Sequence, residues 1–134
     1  MQIPNGAVIA VVDGRRFNLF RNSGNEAEPV LSALPSPRLD EHNKSDGGRR
    51  DSSSQNPTGH QIEEDAHAAA AVDWLSREVL EHRIDKLIVI AAPRTLGTMR
   101  GHYRKPLEGA IIGELSKDLG GRSGPEIAAA IAGH

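Results

Sequence analysis

Apolar positions along this chain fall into short unbroken runs, mixed alternating stretches and one long helical stripe, with a broad polar tract between them. Ala7 to Val12 and Leu87 to Ala92 are the unbroken runs. Both are short and uncharged, as strands buried on both faces are. After the first run, Asp13-Gly14-Arg15 predicts a tight hairpin turn with a positive φ at the glycine. Arg16 to Arg21 then reads as the antiparallel partner. Pro29 to Leu34 is a weaker third strand, and prolines at its two borders, Pro29 and Pro35, suit an edge position. Thr58 and Gln61 have the spacing of a capping box. Glu63, Glu64 and Asp65 follow in the first turns, where the helix dipole favours acids. The helix they open runs to about Arg83, with a buried stripe of Ala68, Val72, Leu75 and Val79 flanked by Ala71 and Leu80. Asp73, Arg77 and Glu81 lie opposite, facing water.

Pro93 ends the second apolar run, because proline gives no N–H to a strand ladder. Leu96, Met99 and Tyr103, spaced i, i+3, i+7, predict a helix from there. Lys105-Pro106 reads as a break. Leu107 to Leu119 fits either a last strand around Ala110–Leu115 or one more helical turn, the strand being preferred. Ser123 or Gly124 opens a final helix, with Pro125 at its first position, Glu126 in its first turn, and Ile127 and Ile131 as anchors. The order β-β-β-α-β-α-β-α predicts an α/β fold: a three-layer mixed sheet of ribonuclease H-like or ribosomal-protein-like topology.

The 134 residues suffice for one domain with its own core. Ser36 to His60 has a single large apolar residue, Leu39, and balanced charge, which predicts a long flexible loop inside that domain. The absence of cysteine excludes disulfides, thiolate metal sites and a cysteine nucleophile. A net charge of −2 gives no global attraction to nucleic acid or anionic lipid, so such binding requires a local patch. The N-terminus lacks a basic region, and Ala7–Val12 is too short for a signal peptide or a membrane span. The expectation is a soluble, cytoplasmic protein without membrane insertion or lipidation.

The basic patch is sought between Arg94 and Lys105, where no acidic residue falls. Arg94 stands where a buried strand gives way to a helix N-terminus, a place that favours anions. Arg100 and Arg104 are expected on one helix face, and the arginine fork suits phosphate or carboxylate. Arg94, Arg100, Arg104 and Lys105 are therefore the candidate anion- or RNA-binding residues. The competing reading pairs Arg94 with a carboxylate such as Asp118. Few aromatics means no stacking platform for bases. Nuclease chemistry needs converging carboxylates, and Asp13 has no good second partner, so it reads as a turn residue. His60, Glu64 and His67 align at i, i+4, i+7, but the spacing is not His-Glu-x-x-His. No metal or cofactor is expected, and neither a phosphate-binding loop nor a nucleophile elbow occurs. Ser52-Ser53-Ser54 reads as solvated linker.

Three stretches carry a resemblance: Val12-Asp13-Gly14-Arg15-Arg16-Phe17, Leu87 through Arg100 with its Ala-Pro-Arg-x-Leu-Gly-x-x-Arg, and Glu114-Leu115-Ser116-Lys117-Asp118-Leu119. Together they resemble the bacterial host attachment protein family, across almost the whole chain. That family is similar in topology to the central domain of archaeal and eukaryotic peptide-chain release factors. Those factors hold a Gly-Gly-Gln loop between the strands and the first helix. Here Gly47-Gly48-Arg49-Arg50 occupies the comparable stretch, which makes it a candidate contact loop. With Arg49 in the place of the glutamine, the resemblance does not extend to peptidyl-tRNA hydrolysis. It implies a non-enzymatic binding module acting indirectly in attachment. Two alternatives stand beside it: a release-factor-like protein that binds RNA or the ribosome, and a small enzyme acting on an anion near Arg94.

Overall fold

The computed structural model describes residues 1–39 and 59–134. A five-stranded mixed sheet forms its middle layer, in the order β3-β2-β1-β4-β5. The strands are β1 (Val8–Val12), β2 (Phe17–Asn22), β3 (Leu31–Leu34), β4 (Leu87–Ala91) and β5 (Ile111–Ser116). The helices are α1 (Gly59–Leu80), α2 (Pro93–Arg100), α3 (Lys105–Ala110) and α4 (Gly124–Ala132). β1 lies at the centre, antiparallel to β2 through Val8↔Arg21 to Val12↔Phe17 and parallel to β4 through Val8↔Leu87 to Val12↔Ala91. β5 extends β4 in parallel, and β3 closes the other edge antiparallel to β2.

Each predicted apolar run forms a strand, Val8–Val12 and Leu87–Ala91, with every strand residue buried. Their side chains divide between two cores because alternate residues point to opposite faces. Val8, Ala10, Val12, Leu87, Val89 and Ala91 pack with Ala68, Ala71, Val72 and Leu75 of α1, Leu96 and Met99 of α2, and Leu107 of α3. Ile9, Val11, Ile88 and Ile90 pack with Ile3, Leu115 and the α4 anchors Ile127 and Ile131. Helices thus cover both faces, as the three-layer reading expects. Among the described residues no helix is long and apolar enough to cross a membrane.

The structure departs from the sequence reading at several joints. Lys105-Pro106 begins a helix instead of breaking one, because proline fits a first turn where its missing N–H has no partner to lose. The described order is therefore β-β-β-α-β-α-α-β-α. β5 begins directly after α3, with a register shift at Ile112 that leaves this side chain 44% exposed. α2 stops at Arg100, so Tyr103 packs from the following turn and not from the helix. α1 ends at Leu80, which is exposed and not part of the buried stripe, while Asp73 on the predicted solvent side is half-buried. His82 takes the left-handed conformation just beyond, with φ 63, and Arg83 and Ile84 N–H groups return to the Glu78 carbonyl. Glycine usually fills that position. Gly14 is not in the left-handed region. The Asp13 carboxylate builds the hairpin instead: its Oδ1 accepts the N–H groups of Arg15 and Arg16 at 2.7 and 2.5 Å. Thr58 lies outside the described residues. α4 carries the full capping box, with Ser123 and Glu126 bonded reciprocally.

Candidate anion-binding edge

β1, β3, β4 and β5 all run in one direction, since β3 is antiparallel to a strand that is itself antiparallel to β1. Their carboxyl ends therefore open onto one edge of the sheet. The hairpin 13–16, the segment 35–39, the start of α2 and the loop 117–122 meet there. Ligands gather at such edges in α/β proteins because several loops converge and no side chain blocks the strand ends. The loops pack closely. A side chain on Gly120 would collide with Asp13 Oδ2, and one on Gly121, which has φ +80, would strike the Arg16 guanidinium. The first turns of α1 fit between the hairpin and α2. Glu64 lies against Gly14, and the Thr98 hydroxyl donates to Asp65 at 3.5 Å.

His67, 5% exposed, bonds through Nε2 to the Arg16 carbonyl at 2.9 Å, so that nitrogen carries the proton. It borders a cleft of about 300 Å³ that is also lined by Arg15, Asn18, Ser36, Pro37 and Leu39. Its role is to tie α1 to the hairpin. Of the proposed His60, Glu64, His67 alignment, the His60 side chain lies outside the described residues. Among those described, no group of three or more His, Asp or Glu side chains is placed to hold a metal ion.

Arg94 sits on this edge, exposed, in the second position of α2. Ala92 caps that helix without a side-chain hydrogen bond, and first-turn N–H groups have no partner within a helix. Arg94 makes no ion pair among the described residues. Asp118, the suggested partner, accepts the Gly120 N–H at 3.4 Å.

The remaining members of the Arg94–Lys105 segment are elsewhere. α2 carries the chain about 12 Å down the sheet. Arg104 and Lys105 lie at its far end, at the edge where β5 starts, and Arg104 precedes α3 and does not share a helix face with Arg100. Arg100 is already engaged: its Nε and Nη2 donate to Glu114 Oε1 at 3.1 and 2.6 Å. Tyr103 donates its hydroxyl to Glu114 Oε2 at 2.8 Å. Burial works to raise the Glu114 carboxyl, but the bonds from Arg100 and Tyr103 outweigh it and hold the group below its ordinary value. The Tyr103 phenol is pushed well up, first by burial and then by its bond to the carboxylate. These three residues line a cavity of about 360 Å³ with Glu108 and Ile111. No local pattern pointed to Glu114 as the partner of Arg100, because it comes from β5, beyond α3. Gly47, Gly48, Arg49 and Arg50 lie outside the described residues.

Comparison with known proteins agrees with the release-factor part of the resemblance. No curated protein matches the chain. A family model, bacterial archaeo-eukaryotic release factor family 12, matches residues 6–131. It bears out the release-factor link and does not carry the host-attachment designation. The match takes in every described strand, the described helices up to Ile131 of α4, and the carboxyl edge where Arg94 stands, so the chain belongs to bacterial archaeo-eukaryotic release factor family 12.

Proposed function

We propose that this protein is a release-factor-like module that associates with RNA at the ribosome, in the cytoplasm, and acts by binding and not by catalysis. The family match over residues 6–131 is the observation that carries this reading. Arg49, where release factors hold glutamine, argues against peptidyl-tRNA hydrolysis. Arg94 is assigned a phosphate contact, since a guanidinium with no ion pair among the described residues, at a helix N-terminus, suits an anionic oxygen. Arg104 and Lys105, at the opposite end of α2, take no part in this contact, and Arg100 contributes least because Glu114 holds it. Any part in host attachment would follow indirectly from this association.

The test is co-sedimentation of the purified protein with ribosomes at low and moderate salt, beside Arg94→Ala and Arg104→Ala/Lys105→Ala variants. The expected result is pelleting with ribosomes that weakens as salt rises and weakens further with Arg94→Ala. Folded protein that stays in the supernatant at low salt would refute the reading.

A further inference from the structure

We propose that the carboxyl edge of the sheet is a phosphate-contact ridge, carried by Arg15, Arg38, Arg94 and Lys117 and suited to a single-stranded RNA backbone. The proposal deepens the RNA-binding reading, on which it rests, by naming the surface. Segments 13–16, 35–39, 92–95 and 117–122 contain six cations, Arg15, Arg16, Arg38, Arg94, Lys117 and Arg122, against two carboxylates, Asp13 and Asp118. Both carboxylates accept backbone N–H groups within their own turns. Arg16 is loosely held by Asp13 at 3.9 Å, and Arg122 pairs with Glu126 at 3.2 Å. Arg15, Arg38, Arg94 and Lys117 are exposed and have no side-chain partner among the described residues.

The opposite edge has a different balance. Segments 1–7, 23–30, 81–86 and 101–110 hold four cations, Arg83, Lys86, Arg104 and Lys105, against five acids, Glu26, Glu28, Glu81, Asp85 and Glu108. Among the described residues, the loops with an excess of positive charge are thus those at the edge where the parallel strands end. The row follows the sheet from β3 to β5, roughly 19 Å at the usual strand spacing, which is long enough for several successive phosphates. Of the acids at the start of α1, Glu64 is turned onto Gly14 and Asp65 accepts from Thr98, while Glu63 is exposed to solvent. With no aromatic in these four segments and the adjacent Phe17 buried, the contact is to backbone phosphates and not to stacked bases.

The experiment uses fluorescence anisotropy of a labelled twelve-nucleotide oligouridylate with the full chain across a salt series, and inorganic phosphate as competitor. Four single-strand contacts predict a log–log salt slope near −3, at about −0.7 per contact. Arg15→Ala/Arg38→Ala/Arg94→Ala should flatten that slope by about 2 and weaken binding roughly tenfold or more at low salt. Arg104→Ala/Lys105→Ala should leave both unchanged. All five positions are exposed, and circular dichroism melts confirm that each variant folds. Displacement of the oligonucleotide by millimolar phosphate would identify a site for free phosphate groups; resistance to it identifies the extended backbone as ligand. Absent wild-type binding, or equal loss in the two variants, overturns the ridge. If ribosome pelleting persists while the triple variant binds oligouridylate normally, the ridge fails and the ribosome reading stands. If pelleting is absent while oligouridylate binding depends on the triple set, the ridge stands and the ribosome reading fails.

Discussion

Replacing Asn22 with alanine should be among the most damaging single polar substitutions in the described structure. Asn22 ends β2 and is fully buried. Its Nδ2 donates to the Ile3 carbonyl at 2.8 Å, with longer contacts to the Pro4 and Asn25 carbonyls at 3.3 Å each. Its Oδ1 accepts the N–H groups of Gly24 and Val30, both at 2.9 Å. One amide thus joins the N-terminal segment, the β2–β3 turn and the approach to β3. Truncation removes three short bonds, each worth about 1 kcal/mol net. It also leaves backbone groups without partners, which costs about 1–3 kcal/mol for each that water cannot reach. With water replacing part of what is lost at this margin, the expected cost is about 3–4 kcal/mol in urea denaturation at pH 7. Asn22→Asp provides a sharper test because it keeps the shape. Its first oxygen still accepts from Gly24 and Val30, but its second faces three carbonyl oxygens. The folded state then prefers the protonated acid, so the variant's folded pKa lies above the unfolded one. Its stability should be best at acid pH and fall as pH rises through that folded pKa. A loss under about 1 kcal/mol for Asn22→Ala, or an aspartate variant insensitive to pH, would refute the reasoning.

Three further outcomes follow from other contacts. Tyr103→Phe should cost about 1 kcal/mol at pH 7 by chemical denaturation. Because Glu114 titrates below its ordinary value in the fold, its bonds contribute above the unfolded carboxyl pKa and are lost as pH falls through the folded one. The gap between wild type and Tyr103→Phe should therefore close as pH drops below 4.5, and a constant gap would count against this network. Ser123→Ala should cost about 1 kcal/mol and fray α4, visible as faster amide exchange at Ile127. Gly124→Ala should cost about 1–3 kcal/mol, since the new methyl would stand 2.6 Å from the Leu31 carbonyl and force α4 from β3, measured as a drop in melting temperature.

The strands and the outer helices were legible because their signals are local. Ile9 and Ile88 lie in uninterrupted apolar runs, and Ser123-Gly124-Pro125-Glu126 spells a capped helix start. Signals that depend on distant partners were not. Pro106 reads as a breaker until the chain is seen to need a first turn there. His82 stops α1 without the glycine that marks most helix ends, because backbone bonds to Glu78 hold it. Among the candidate residues, Arg94 falls where the strand-to-helix pattern placed it. Spacing groups Arg100 with Arg104, but the helix ends at Arg100, and Glu114 engages Arg100 from a strand fourteen residues on. The convergence of Arg15, Arg38 and Lys117 with Arg94 depends on the pairing order of strands, which no window of sequence contains.

The pairing of β1 with β4 also bears on how the chain is made. The strand at the centre of the sheet is the first to be synthesised, yet its parallel partner begins seventy-nine residues later, Val8 against Leu87. A parallel neighbour cannot be reached by a hairpin, so β1 must wait for α1 and β4 before both its edges are satisfied. Until then the β1–β2 hairpin presents Ile9 and Val11 to water with nothing to cover them, and a two-stranded unit is marginal at best. Residues 1–39 should therefore not hold their shape as a fragment, and a chain arrested before β4 exposes an apolar strand edge open to aggregation. The central pairing of the sheet is completed only after most of these residues have been made.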